Sequence, residues 1–388
     1  MANLFKETKE HIKHNHERLK QGKVNCIPFS NNLAKLKKHI PGIIKGTPYI
    51  ISASSGVGKT QLTKYIFVYE AYKYVKEHPE SDISIEIHYF PLEESKEEFM
   101  LGMIAKYLSD VHKLNYTTQE LEGYYQDTIL PEEIINLIDG AEEYFSDLFK
   151  YLHIVDNVKN PTGIMKHMRN VATKVGDFYY QGKKLETPVT NSWIDFHYDD
   201  YKEHKDTHFV ICIVDHISLL DEETNPITKQ MMSKHETISK WSADYSRYLL
   251  TKKFNQVVVN VQQLAAAGES QQFTNKGESI KERVLPSLDK LADNKLTQRD
   301  AKIIIFVFAP YRYGFASWAG YDLNIFKDTF RVIIIAKNRY GKPDLHDYVY
   351  FDAVTNTFKE LPPALSKEGY NTPEIEIIYK KLKEKHKK

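Results

Sequence analysis

From residue 25 onward, short apolar runs alternate with longer amphipathic segments. The pattern predicts strands at Pro48–Ser52, Ile83–Phe90, Tyr151–Val155, Phe209–Val214, Gln256–Val261, Lys302–Phe308, Phe330–Ala336 and Asp347–Phe351. Several are continuous β-branched runs, which suit strands covered on both faces. Between them, Gln61–Glu77, Ser95–Ser109 and Pro161–Lys174 carry helical spacing. This order predicts an α/β fold, a mostly parallel twisted sheet flanked by helices.

Upstream, Phe5, Ile12 and Leu19 recur at heptad spacing in a polar segment, predicting a helix over 3–20 with one narrow apolar stripe. That stripe can dock on its own domain or on a neighbouring subunit. At the other end, Thr372 caps and Pro373 opens a helix whose stripe is Ile375, Ile378, Tyr379 and Leu382. Its basic tail, KKLKEKHKK, suits the negative end of the helix dipole. Two stretches break the alternation. Residues 176–207 are polar and aromatic and read as an inserted excursion, either a surface for stacking bases or a packing embellishment. Residues 265–285, small, polar and Gly-containing, read as a long mobile loop.

Composition narrows the class. At 41% hydrophobic and 27% charged, the chain is ordinary globular material. No apolar run reaches membrane-spanning length, and Ile303–Ala309 is as long as a buried strand. The polar, basic N-terminal segment lacks the apolar core of a secretory signal. Cys26 and Cys212 can build neither a disulfide framework nor a four-thiolate zinc site. A cytoplasmic protein without a membrane partner is expected. Its 53 basic and 52 acidic residues leave a formal charge of +1, so any nucleic-acid binding must come from local basic groups.

The most specific chemistry lies in Tyr49-Ile-Ile-Ser-Ala-Ser-Ser-Gly-Val-Gly-Lys-Thr60. An apolar strand runs into a small-residue loop and then into a helix. Such a loop turns its N–H groups inward around phosphates, and the helix N-terminus adds favourable potential. The binding set is Ser54, Ser55, Gly56, Val57, Gly58, Lys59, Thr60 and Gln61. Lys59 would reach the β- and γ-phosphates, and the Thr60 hydroxyl would hold Mg²⁺. Ala53 stands at the position that is usually glycine. Phe209-Val-Ile-Cys-Ile-Val-Asp215 is an apolar strand ending in a carboxylate, so Asp215 would hold Mg²⁺ through water. His216 beside it reads as a packing or hydrogen-bonding residue.

With these motifs in place, the chain resembles the RecA-like ATPase domain of DnaB-type replicative helicases, from about residue 25 to 363. His88-Tyr-Phe-Pro-Leu-Glu-Glu94 is similar to that family's strand ending in Ser-Leu-Glu-Met. Asp215-His-Ile-Ser-Leu-Leu220 resembles its Asp-Tyr-Leu-Gln-Leu, and Val257-Val-Val-Asn-Val-Gln-Gln-Leu264 its strand ending in Ser-Gln-Leu. Leu152–Asp156 with the following helix, the Lys337-Asn-Arg339-Tyr-Gly341 segment and the closing Val349–Leu361 hairpin fit in the same order. The resemblance implies Glu93 as the glutamate that activates water and Gln263 as the γ-phosphate sensor. It also implies that Lys337 and Arg339 reach across a subunit boundary into the neighbour's nucleotide. Alternation with Asn338 puts both cations on one face, where they need an anion. A neighbour's γ-phosphate or an intrachain carboxylate would serve.

The resemblance divides the chain into a linker helix (1–24), a RecA-like ATPase domain (25–365) and a basic C-terminal helix (366–388). It implies ATP and Mg²⁺ as cofactors. The implied partners are single-stranded DNA, further copies in a hexameric ring, and a primase or loader protein. Only about 24 residues precede the resembled domain, so collar contacts are expected from another protein. A second DNA loop, roughly Asp-Leu-Arg-Glu-Ser-Gly in the family, here reads Lys290-Leu-Ala-Asp-Asn-Lys295. Ala292 replaces the arginine and Lys295 the glycine. The nucleic-acid candidates are Lys276, Lys281, Arg283 and Lys295. The expected activity is that of an ATP-driven helicase motor of phage or mobile-element type. The alternatives are a RecA- or KaiC-like assembly ATPase without unwinding, and a non-catalytic loading or structural factor.

Overall fold

The computed structural model describes residues 2–124, 129–186, 197–265 and 284–385. At its centre is a nine-stranded sheet. In chain order its strands are β1 (Pro48–Ala53), β2 (Ser84–Pro91), β3 (Leu152–Ile154), β4 (His208–Asp215), β5 (Val257–Gln263), β6 (Ile303–Phe308), β7 (Phe330–Asn338), β8 (Leu345–Asp352) and β9 (Thr357–Glu360). In space they run β9-β8-β7-β6-β1-β5-β4-β2-β3. From β6 to β3 every neighbouring pair is parallel, and β7, β8 and β9 add on antiparallel. The mostly parallel α/β sheet expected from the pattern is the one observed, and its eight predicted strands all lie within two residues of the observed ones.

Alternation assigns the strand residues to two layers. Tyr49 and Ile51 join Ile305 and Ile333 in one core, while Ile50, Ile304, Phe306 and Ile334 face the other. Every residue of β1 and β6 is buried, so their β-branched and aromatic content is packed on both faces. Helices cover the two layers. Lys59–Lys64 runs on through a π-helical segment, Tyr65–Glu70, into Ala71–Glu77. Lys96–His112 starts in a capping box: Ser95 Oγ accepts from Glu98 N (3.1 Å), and Glu98 Oε2 accepts from Ser95 N (2.7 Å). No described helix is long and apolar enough to cross a membrane.

The N-terminal helix, Ala2–Lys20, carries its stripe into solvent: Phe5 is 72%, Ile12 52% and Leu19 52% exposed. Docking of that stripe on the chain's own domain is therefore not what is found. The helix is tied at its C-terminal end, where Arg18 donates to Asn25 Oδ1 and to the Val24 carbonyl, both at 3.1 Å. At the far end, Pro373–Lys385 buries Ile375, Tyr379 and Leu382, and Thr372 Oγ1 accepts from Ile375 N. The excursion after residue 175 forms a three-stranded antiparallel sheet of Lys183–Lys184, Gly176–Tyr180 and Asp200–Glu203. Phe178 is fully buried against Tyr198, Tyr201 and Phe254, which favours packing over base stacking for these aromatics. Trp193 and Phe196 lie outside the described residues, as does most of the loop expected over 265–285.

Candidate nucleotide site

The strand order sets the carboxyl ends of β1, β5, β4 and β2 side by side, where ligands gather in open parallel sheets. The loop after β1 turns through two left-handed glycines. Gly56 has φ 69°, and a Cβ there would come within 3.1 Å of the Arg312 guanidinium. Gly58, at φ 113°, caps the helix that opens with Lys59, a geometry that L side chains rarely adopt. Beside this loop lies a cleft of about 330 Å³ lined by Ser55, Gly56, Gly58, Lys59, Thr60 and Gln61, with Glu93, Glu94, Glu98 and Asp215 opposite. Ser54 stands at the loop's start, its Oγ 3.2 Å from the Tyr313 hydroxyl, and Val57 is buried beneath the loop.

Charges converge here. Lys59 is buried, its Nζ 3.7 Å from Glu93 Oε2. Glu93 is half exposed and also lies 3.5 Å from His216 Nε2. Burial and the Lys59 charge hold the His216 imidazole below its usual pKa, as suits a neutral hydrogen-bonding residue. Asp215 is buried, and its Oδ2 accepts from the Tyr89 hydroxyl at 2.6 Å. Its Oδ1 is buried without a hydrogen-bond partner. An orphaned carboxylate oxygen beside the Thr60 hydroxyl and a left-handed N–H cradle fits the water shell of Mg²⁺ on a triphosphate. Gln263 ends β5 in register with Ala53, directly beside the phosphate loop.

Two arginines that the motifs did not single out hold the loop from below. Arg331 is 1% exposed; it donates from Nε to the Val57 carbonyl (2.8 Å) and from Nη1 to the Asp328 carbonyl (2.6 Å). Burial pulls its pKa down to about 10. Arg312 grips Asp328 through two bonds, 2.8 and 2.7 Å, and reaches the Ser55 carbonyl at 3.3 Å. The available signal was a lone cation inside the apolar run Phe330-Arg331-Val-Ile-Ile-Ile335.

Solved structures with this arrangement are known. One, the ATPase domain of a helicase, matches with a TM-score of 0.59 at 19% identity, covering 91% of this chain and 98% of its own. The fold is that of a DnaB-like helicase ATPase domain. A DnaB-like replicative helicase, described together with its interactions with primase, also gives 0.59 at 19% identity. That match covers 89% of this chain and 66% of the helicase. A KaiC-like protein from Pyrococcus horikoshii OT3 matches at 12% identity over 84% of this chain and 94% of its own, but its TM-score of 0.41 carries no argument. No family model matches the chain, and no curated protein matches it in sequence.

Within the DnaB-like fold, Lys337 and Arg339 are not brought to this cleft. β7 runs antiparallel to β6, so its end lies at the opposite edge of the sheet. Lys337 pairs with Ile304, itself level with Ile50, and Arg339 N bonds the Lys302 carbonyl, level with Pro48. The five residues from Pro48 to Ala53 put Arg339 about 17 Å from the start of the phosphate loop. A bulge at Ala336 re-aims the strand just before Lys337. The Lys337 ammonium donates to the Gln298 carbonyl, and burial with the neighbouring Arg339 charge lowers its pKa. Neither cation is in an ion pair among the described residues, so the intrachain carboxylate expected as one alternative is not found. Arg339 is exposed on a recess of about 570 Å³ shared with Arg247, Lys252, Arg299 and Lys302, where Asp300 is the one acid among the described residues. Lys295 is also exposed, whereas Lys276, Lys281 and Arg283 lie outside the described residues.

Proposed function

We propose that the chain is an ATP-hydrolysing, DnaB-like helicase motor, working in the cytoplasm as a ring of identical subunits on single-stranded DNA. The observation that carries this is the separation of the two charge sets. The cleft holds a loop built for phosphates, whereas Lys337 and Arg339 sit at the other edge of the sheet, beyond reach of their own chain's nucleotide. A pocket completed by another copy accounts for both. The exposed Phe5/Ile12/Leu19 stripe of the N-terminal helix gives a neighbouring subunit an apolar surface to cover.

In this reading Ser54–Gln61 cradle the triphosphate, and Thr60 and Asp215 would hold Mg²⁺, which neutralises phosphate charge. Glu93 accepts the proton of the attacking water; Lys59, 3.7 Å away, reaches the phosphate oxygens. Lys337 and Arg339 of the next subunit neutralise the charge that develops as the γ-phosphate leaves. Gln263, tied through the Ala292 N–H bond to its own carbonyl (3.0 Å), passes the loss of phosphate to the 290–297 segment. Lys295, with Lys276, Lys281 and Arg283, supplies charge toward the DNA backbone, and a primase or loader is the further partner. ATPase rate with and without single-stranded DNA, alongside fork unwinding and particle mass, tests this. Stimulation by DNA together with unwinding is expected. Turnover indifferent to DNA would favour the assembly ATPase, which the Ala292 and Lys295 substitutions also favour.

A further inference from the structure

At the β3 edge of the sheet, well away from the phosphate loop, four histidines surround one glutamate. Along β2, alternation sends Ser84, Glu86 and His88 to the same face. In register, His153 of β3 lies beside His88, and His208 of β4 beside Ser84. His167 arrives from the helix Pro161–Val175. Glu86 Oε1 is 3.0 Å from His88 Nε2 and 3.7 Å from His153 Nε2. Glu86 Oε2 is 3.7 Å from His208 Nε2. That nitrogen is buried and has no hydrogen-bond partner, while His208 Nδ1 is engaged by Ser84 Oγ at 2.9 Å.

We propose that Glu86, His88 and His153 bind one divalent transition-metal ion of the zinc class, with His208 placed to add a fourth ligand. One oxygen and the two ring nitrogens lie within 4.8 Å of one another. Bonds of about 2.0–2.1 Å in tetrahedral geometry set ligand atoms roughly 3.3–3.4 Å apart. The observed 3.0 and 3.7 Å bracket that spacing, so small rotations would close the set. Two imidazoles and a carboxylate suit zinc, nickel or copper, not magnesium or calcium. An outer partner is already in place. With the metal on Nε2, His88 Nδ1 carries the proton and donates to His167 Nε2 at 3.0 Å, fixing ring and tautomer. The His153 side chain is 42% exposed, which leaves a route for the ion from solvent. Burial and the nearby His88 lower the pKa of His153 and bring that of His167 to about 4, keeping both rings neutral. Such an ion would staple the short edge strand β3 to β2.

The test uses the full-length chain without a polyhistidine tag, stripped with chelator and titrated with Zn²⁺ or Co²⁺ in the absence of nucleotide. One equivalent is expected, with a rise in Tm. The visible Co²⁺ spectrum should be that of nitrogen and oxygen ligands, without a thiolate charge-transfer band. Glu86→Gln, which keeps the side-chain shape, and His153→Ala, at the half-exposed edge, should each lose that equivalent while retaining the far-UV spectrum. His167→Ala should weaken binding roughly 10–100-fold. Asp215→Asn should bind zinc as the unaltered chain does. Undiminished stoichiometry and affinity in both E86Q and H153A, or loss of the equivalent only in D215N, would overturn the assignment. So would failure of the unaltered chain to bind zinc.

Discussion

The two ends of one sheet treat charge in opposite ways. At the carboxyl ends of β1, β4 and β2 the acids outnumber the cations, and each cation is shared. Lys59 lies 3.7 Å from Glu93, and Lys64 is paired with Glu94 at 2.7 Å. At the other end Arg299, Lys252 and Arg339 stand exposed around a recess with one described acid, Asp300, which Arg247 already engages at 3.2 Å. A triphosphate in the first site would lack cations for its terminal charge; the second site has cations and lacks an anion. Each end supplies what the other needs, yet a single chain cannot bring them together. Copies stacked head to tail can.

The comparison breaks most visibly at its two cations. Lys59→Ala should cut turnover roughly 10³-fold or more with loss of nucleotide affinity, as seen in ATPase rates and in nucleotide binding. Arg339→Ala should lose about 10³ in kcat with nucleotide binding nearly unchanged, because its partner phosphate belongs to another copy. Equal loss of affinity in both variants would erase the distinction between the two ends.

The support beneath the phosphate loop sharpens the picture. Arg331→Met leaves the Val57 and Asp328 carbonyls without their donor and should destabilise the chain by about 2–4 kcal/mol in urea unfolding. Arg331→Lys should recover little, since a point charge cannot reach both carbonyls at once.

The smallest effect falls between the ends. Asp347 on β8 is buried, with Oδ2 unpartnered, and burial raises its carboxyl from 3.8 to about 6. The folded chain thus binds this proton more tightly than the unfolded chain. Its stabilising contribution is complete below about pH 3.8 and is lost as pH rises through about 6. Asp347→Asn should flatten stability across that window and add up to about 3 kcal/mol at pH 7, read from unfolding curves at several pH values.

Much of this was legible in the chain itself. β-branched runs such as Ile303-Ile-Ile-Phe-Val-Phe308 can only be strands covered on both sides, and the small-residue loop before Lys59 admits few other folds. The convergence of Lys59, Glu93 and Asp215 followed from strand ends. The brackets beneath the loop did not, because Arg312 and Arg331 come from segments more than 250 residues away whose pairing depends on the sheet order. The histidine cluster was equally hidden. Glu86, His88, His153, His167 and His208 have no motif spacing and meet only through register. The 176–207 excursion lacked a period because its strands are as short as Lys183–Lys184.

Mixing two dead variants tests the shared site most directly. Lys59→Ala chains keep Arg339, and Arg339→Ala chains keep the phosphate loop. If nucleotide is completed between copies, an equimolar mixture of the purified variants regains ATPase activity, up to about a quarter of the seams being whole on random assembly. A mixture that stays as inactive as either variant, while co-assembly is verified by particle mass, would contradict the account.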